Sequence, residues 1–354
     1  MSTGWCEAYS ELENFVAGHP EIIIKADRVR LPDDVRPGFY RLFDATRAAL
    51  VAEKLPGLLD EANTLSHNYL KAEQSVTRSL GLESVSMQPS LQRFLHDPAE
   101  QLVRELFDPL FDLLKGLIGT EGFEQSSQDN IRASFEPLYQ SGYEKWVILS
   151  LVGLLGADSL FQVTPRKLDS KDMHQARGGK FEEEAPGPYE SKNLTFKYNP
   201  NAAFIVPDLI VHPAESKGYI SISSQNSQAL GISVNASEKR QWRPLGEVPP
   251  LEEGTVLLYL GDTPQEISLT ADANRICLPD AVLDCRAFNG WFEREGLIKV
   301  KAYHDSLQPK LGSYVVSRGA VPELEPEQKE AGIDILTVGF DPLKLEPIAS
   351  AIKC

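Results

Sequence analysis

Near Asp158 the period of the apolar residues changes, and this constrains the fold more than any other feature of the chain. Upstream the period is helical. Phe39, Leu42, Phe43, Thr46, Ala49 and Leu50 recur every three or four positions behind Pro37, a residue suited to a first helical turn. Leu58, Ala62, Leu65, Tyr69, Ala72 and Val76 continue the pattern up to Gly81. Asp97-Pro98-Ala99-Glu100 joins a capping residue, a first-turn proline and an acid three positions after the cap. Pro109, inside the apolar stripe that follows, predicts a kink or a fresh helix start. A further helix is expected from about Ile131 to Leu155. From Trp146 it is apolar nearly all round, hence buried on most sides, and Glu144 and Lys145 stand where it turns apolar.

Downstream the signals are short strands separated by Gly, Pro, Asn and Asp. They are expected at Leu194–Tyr198, Ala203–Val211, Gly218–Ser223, Leu230–Val234, Thr255–Leu260, Glu266–Leu269, Arg275–Leu278, Ile298–Tyr303, Tyr314–Ser317 and Ile333–Val338. The predicted class is α+β, with a mainly helical region over 1–157. A mixed α/β core follows over 158–241, with a long charged loop at 165–192 and the helix over 131–156 as a candidate member. A small antiparallel β module over 242–320 and a polar segment and tail over 321–354 complete the chain. Its 354 residues suit about two domains.

Charge narrows the function. With 35 basic and 51 acidic side chains the net charge is -16. Residues 1–160 hold 14 basic and 24 acidic side chains, and the remainder 21 and 27, so neither part is basic overall. Nucleic acid as a partner therefore gains no support from net charge. Cys6, Cys277, Cys285 and Cys354 form no C-x-x-C and match no zinc module. Cys277 and Cys285 are close enough in sequence to meet across a hairpin, and are expected as buried thiols. No basic segment followed by an apolar run opens the chain, and its longest apolar stretch, 146–157, is too short for a bilayer. These features predict a cytoplasmic protein without membrane partners.

The P-loop, dinucleotide and nucleophile-elbow signatures are missing, and the six histidines lack metal-ligand spacing. One order of residues carries chemistry. Tyr143-Glu144-Lys145-Trp146 opens a buried helix. A strand follows at Phe161–Val163, then Pro207-Asp208 in an apolar strand, then Gly218–Ser223. This order resembles the PD-(D/E)xK nuclease superfamily, the restriction-endonuclease-like fold, over residues 143–223. Such sites cluster carboxylates because a hard divalent cation takes oxygen ligands. The resemblance implies Glu144, Asp208 and Glu215 as ligands of Mg²⁺ and Glu144, Asp208, Glu215 and Lys217 as the catalytic set, the lysine acting on the attacking water. The strand that carries acidic-x-Lys in the family reads Ser221-Ile222-Ser223 here, so the third motif is degenerate. The triplet Glu215-Ser216-Lys217 lies one step earlier, in an apparent turn.

The leading expectation is therefore a non-catalytic or weakly catalytic subunit of a larger assembly, with another protein subunit as partner and no cofactor. It would carry a degenerate nuclease-like core like those of accessory proteins in bacterial restriction and phage-defence systems. The alternatives are an active metal-dependent nuclease using Mg²⁺, and a plain interaction protein whose β module binds another protein. In that module Phe288, Trp291, Phe292 and Tyr303 are expected chiefly as core, and Asp280, Asp284, Glu293 and Glu295 on loops.

Overall fold

The computed structural model describes residues 4–163, 187–196, 207–224, 240–268, 275–322 and 331–353. The chain divides into two compact units, one of residues 1–67 and 89–139, the other of 68–88 and 140–354.

The first unit is helical: α1 (Trp5–Gly18), α2 (Arg36–Lys54), the start of α3 (Pro56–Leu80), α4 (Pro89–His96), α5 (Pro98–Arg104), α6 (Phe107–Leu114) and the start of α7 (Thr120–Leu155). A two-stranded hairpin, β1 (Ile23–Lys25) and β2 (Arg28–Arg30), interrupts the helices. The apolar stripe read from the sequence is core: Phe39, Phe43 and Leu50 are buried, and Phe43 lies 4.7 Å from Phe111 between ring centres. Asp97 caps α5 by accepting from the Glu100 N–H at 3.0 Å. The proline at 109 goes with a fresh start, since α5 ends at Arg104 and α6 begins at Phe107.

The second unit is built on an eight-stranded sheet. Its described strands are β3 (Ser84–Ser86), β4 (Ala157–Val163), β5 (Pro188–Glu190), β6 (Asn193–Thr195), β7 (Leu209–Pro213), β8 (Tyr219–Ser223), β9 (Trp242–Pro244), β10 (Thr255–Gly261), β11 (Arg275–Cys277), β12 (Ala281–Arg286), β13 (Ser313–Ser317) and β14 (Ile333–Thr337). Its described helices beyond α7 are α8 (Trp291–Glu295), α9 (Ile298–Leu307) and α10 (Glu346–Ile352). The sheet order is β14-β13-β12-β10-β8-β7-β4-β5. Strands from β5 to β12 pair antiparallel, whereas β12, β13 and β14 run parallel. Val163, Ile210, Leu257, Tyr259 and Val282 form one buried cluster with Tyr303 and Leu307 of α9.

The class α+β holds, but the separate antiparallel module over 242–320 does not. β10 inserts between β8 and β12 in the main sheet, and β13 joins β12 in parallel. A parallel pair needs a crossover, and α8 and α9 supply it. That corrects the strand expected at 298–303. Its alternating Ile-Lys-Val-Lys reads as strand locally, but Val300, Tyr303 and Leu307 are the buried positions, at helical spacing. The strand expected at 266–269 gives way to a 3₁₀ turn over Pro264–Ile267, with proline at its start. The loop over 165–192 ends early, because Pro188–Glu190 pairs with β4. Residues 164–186, the strand expected at 230–234 and the polar segment 323–330 lie outside the described residues. Cys277 and Cys285 are buried free thiols on different strand pairings, β11 with β9 and β12 with β13, not two arms of one hairpin. Among the described residues no helix is long and apolar enough to cross a membrane.

Candidate functional site

Helix α7 carries Glu144 at 2% exposure between buried Tyr143 and Trp146. A carboxylate so buried must be paired to be tolerated. Both its oxygens are. Oε2 accepts from the Gly254 N–H at 2.9 Å, and Oε1 from the Lys145 ammonium at 2.5 Å. Gly254 precedes β10 with φ +96°, and a Cβ there would stand 2.7 Å from the Cys285 carbonyl oxygen, so only glycine brings this N–H to Glu144.

The lysine continues the chain of contacts. Its Nζ donates to Ser224 Oγ at 2.6 Å, and Ser224 donates to Asp208 Oδ2 through its hydroxyl at 2.5 Å and its N–H at 2.8 Å. Asp208 is fully buried just before β7, its backbone fixed by Ile222 and by the Gln162 side chain. Lys145 also lies over the Phe196 ring at 5.1 Å. Burial pushes the Glu144 carboxyl up, and Lys145 only partly offsets this. Burial works against the Lys145 ammonium, but Glu144 and Asp208 outweigh it and raise its pKa. The neighbouring acids thus help the lysine keep its charge, while burial works against the charged form of Glu144.

The structure brings together Glu144 and Asp208 but not Glu215 and Lys217. Asp208 lies at the open end of the β7–β8 hairpin, beside Ile222, whereas Glu215 and Lys217 sit in the turn at its closed end. Five residues of strand separate the two ends by roughly 15 Å, so neither side chain shares an ion with Asp208. Ser221 and Ser223, at the third-motif positions, are buried in the sheet. Ser221 faces Ile210 and Tyr259 across the strands, and its hydroxyl has no hydrogen-bond partner among the described residues. The contact to Asp208 is made one residue later, by Ser224.

Two members of this cluster escape the sequence reading. Lys145 is visible only as a cation at the edge of an apolar helix, and Ser224 as the end of a serine-rich strand. A second constellation escapes too. Asp284-Cys285-Arg286 is an acid-x-cation triplet on the inner strand β12, so the loop placement of Asp284 is corrected. Asp284, at 3% exposure, accepts from Arg286 at 2.8 and 2.9 Å. Arg286 also pairs with Glu295 at 2.9 Å, and Lys299 joins Glu295 at 3.5 Å to Glu252 at 2.7 Å. Burial pushes the Asp284 carboxyl up to about 6, with Arg286 working against it. The signal was present in Ala-Val-Leu-Asp-Cys-Arg, where acid and base share one face at the strand period.

These residues do not fit Mg²⁺ as they stand. The ion takes about six oxygen ligands. Both Glu144 oxygens and Asp208 Oδ2 already accept from protein donors, and a dication at this spot would have to expel the Lys145 ammonium. Among the described residues no three His, Cys, Asp or Glu side chains gather in a metal-holding group. No family model, curated protein or solved structure matches the chain.

Proposed function

We propose that this chain is a non-catalytic or weakly catalytic subunit of a larger cytoplasmic assembly, carrying a degenerate nuclease-like core. A bacterial restriction or phage-defence system is the setting proposed for it, with another protein subunit as its partner. The observation that carries the reading is the Lys145 ammonium. It stands between Glu144 and, through Ser224, Asp208, where cleavage chemistry would call for a divalent cation. The purified chain should leave DNA and RNA intact with Mg²⁺ or Mn²⁺, and should co-purify with a second polypeptide in fixed stoichiometry from its native host. Cleavage that disappears in Asp208→Ala but persists in Lys217→Ala would overturn the reading.

That result would favour the second reading, an active metal-dependent nuclease. It draws on one observation, that two carboxylates and a lysine are hydrogen-bonded into one buried chain. Lys145 would then take the role first assigned to Lys217. The third reading, a plain interaction protein, would use a surface of the main sheet rather than a detached module, since β10, β12 and β13 belong to that sheet.

A further inference from the structure

At the end of the β7–β8 hairpin away from Asp208 lies a cleft of about 730 Å³, within the size range of small-molecule sites. The β7–β8 turn, the end of β10, the approach to β12 and the end of α10 wall it. Its floor is fixed by Arg240. Both terminal nitrogens donate to Asp280 Oδ2 at 3.2 Å, one also donates to the Leu260 carbonyl, and the guanidinium lies 5.5 Å from the Tyr259 ring centre. Arg240 and Asp280 thus neutralise each other.

The remaining charges of the lining are less committed. Lys217 and Lys353 make no ion pair among the described residues, and Lys310 has one 3.7 Å contact, to Asp280. Glu215 and Asp262 likewise have no ion-pair partner among the described residues. Tyr219 and Pro279 add an apolar wall. A third acid of the lining, Glu266, already accepts from the Asp262 N–H at 3.0 Å. A simple anion would be repelled by these carboxylates, and a simple cation by the three lysines. A ligand that combines a phosphate, hydroxyl donors and a flat apolar ring uses all three kinds of lining.

We propose that this cleft binds a nucleoside monophosphate. The lysines take the phosphate by charge-assisted hydrogen bonds, Glu215 and Asp262 accept from ribose or base donors, and Tyr219 and Pro279 flank the ring. The proposal uses no residue of the Glu144–Asp208 cluster, so it stands or falls apart from the function proposed above.

Calorimetric titration of the whole chain with AMP, GMP, CMP and UMP tests it, with adenosine and inorganic phosphate as the two halves of a ligand. At least one monophosphate is expected to bind with Kd below ~1 mM, more tightly than either half. The variant Lys217→Met/Lys310→Met changes two exposed side chains, and its folding is checked by thermal unfolding. It should weaken that binding by at least ~10-fold. No nucleotide binding, binding undiminished in the lysine variant, or phosphate binding as tightly as the nucleotide would each overturn the proposal.

Discussion

The Glu144 cluster and the Asp284 cluster both place acids and bases at the sheet, yet they are closed in different ways. In the first, one lysine serves two carboxylates through a chain of contacts of 2.5 to 2.9 Å, and Glu144, Asp208 and Ser224 are all buried. In the second, two cations serve three acids, and exposure rises outward from Asp284 to Lys299 and Glu252, whose side chains are 41% and 50% exposed. Water can replace a lost partner at the outer end of the second cluster far more readily than in the first, where Glu144 and Asp208 are almost wholly buried. The two clusters therefore carry the same kind of charge with different consequences for its removal.

The largest effect is expected from Lys145→Met. It leaves buried Glu144 and Asp208 without their shared cation, and breaking a buried pair in this way costs about 3–5 kcal/mol. Urea unfolding reads the loss. Adding Glu144→Gln should restore much of it, since the remaining acid is then less repelled. A loss under about 1 kcal/mol for Lys145→Met would mean that water reaches the cluster and that the contrast with Asp284 is false.

The pH dependence of Asp284 comes next. Its folded pKa of about 6 stands above the ordinary 3.8, so the folded chain holds this proton more tightly than the unfolded chain. Its contribution is fully present below about pH 4 and is lost as pH rises through about 6. The shift corresponds to about 3 kcal/mol between the two limits. Asp284→Asn lacks this titration, so its stability relative to wild type should rise from pH 4 to pH 7.5. Parallel profiles for the two proteins would show that Arg286 fully compensates the buried charge.

Gly254→Ala should cost about 2 kcal/mol. It places a Cβ against the Cys285 carbonyl at a backbone angle that L residues rarely adopt. Because Gly254 donates to Glu144, Glu144→Gln should reduce the penalty, which a double-mutant cycle measures. Strict additivity would separate the glycine from the cluster.

These contrasts also show what could be read from the residues alone. The helices were legible because Phe39, Phe43 and Leu50, or Trp146 and Val147, are core positions at the helical period, and period survives without tertiary information. Glu144 and Asp208 were legible as an isolated acid in an apolar helix and an acid opening an apolar strand. Lys145 and Ser224 were not, because their roles depend on which strand end meets α7. Glu215 and Lys217 were legible as a turn, but a triplet's spacing does not say at which end of a hairpin, near to or far from Asp208, that turn falls. α9 was misread because a parallel crossover is a property of the sheet, invisible in Ile-Lys-Val-Lys.

The smallest effect is the sharpest control on the comparison. Lys299, like Lys145, lies between two acids, contacting Glu252 at 2.7 Å and Glu295 at 3.5 Å. It differs from Lys145 chiefly in exposure, since the Lys145 side chain is 11% exposed and that of Lys299 41%. Exposed pairs are screened and contribute only about 0.2–1 kcal/mol, so Lys299→Met should fall in that range and shrink further in high salt. Lys145→Met should be nearly indifferent to salt, because ions do not enter a buried chain of hydrogen bonds. Unfolding both variants at low and high ionic strength decides the matter. Equal losses with equal salt dependence would mean that exposure does not govern these clusters, and that the lysine held by Glu144 is an ordinary surface partner.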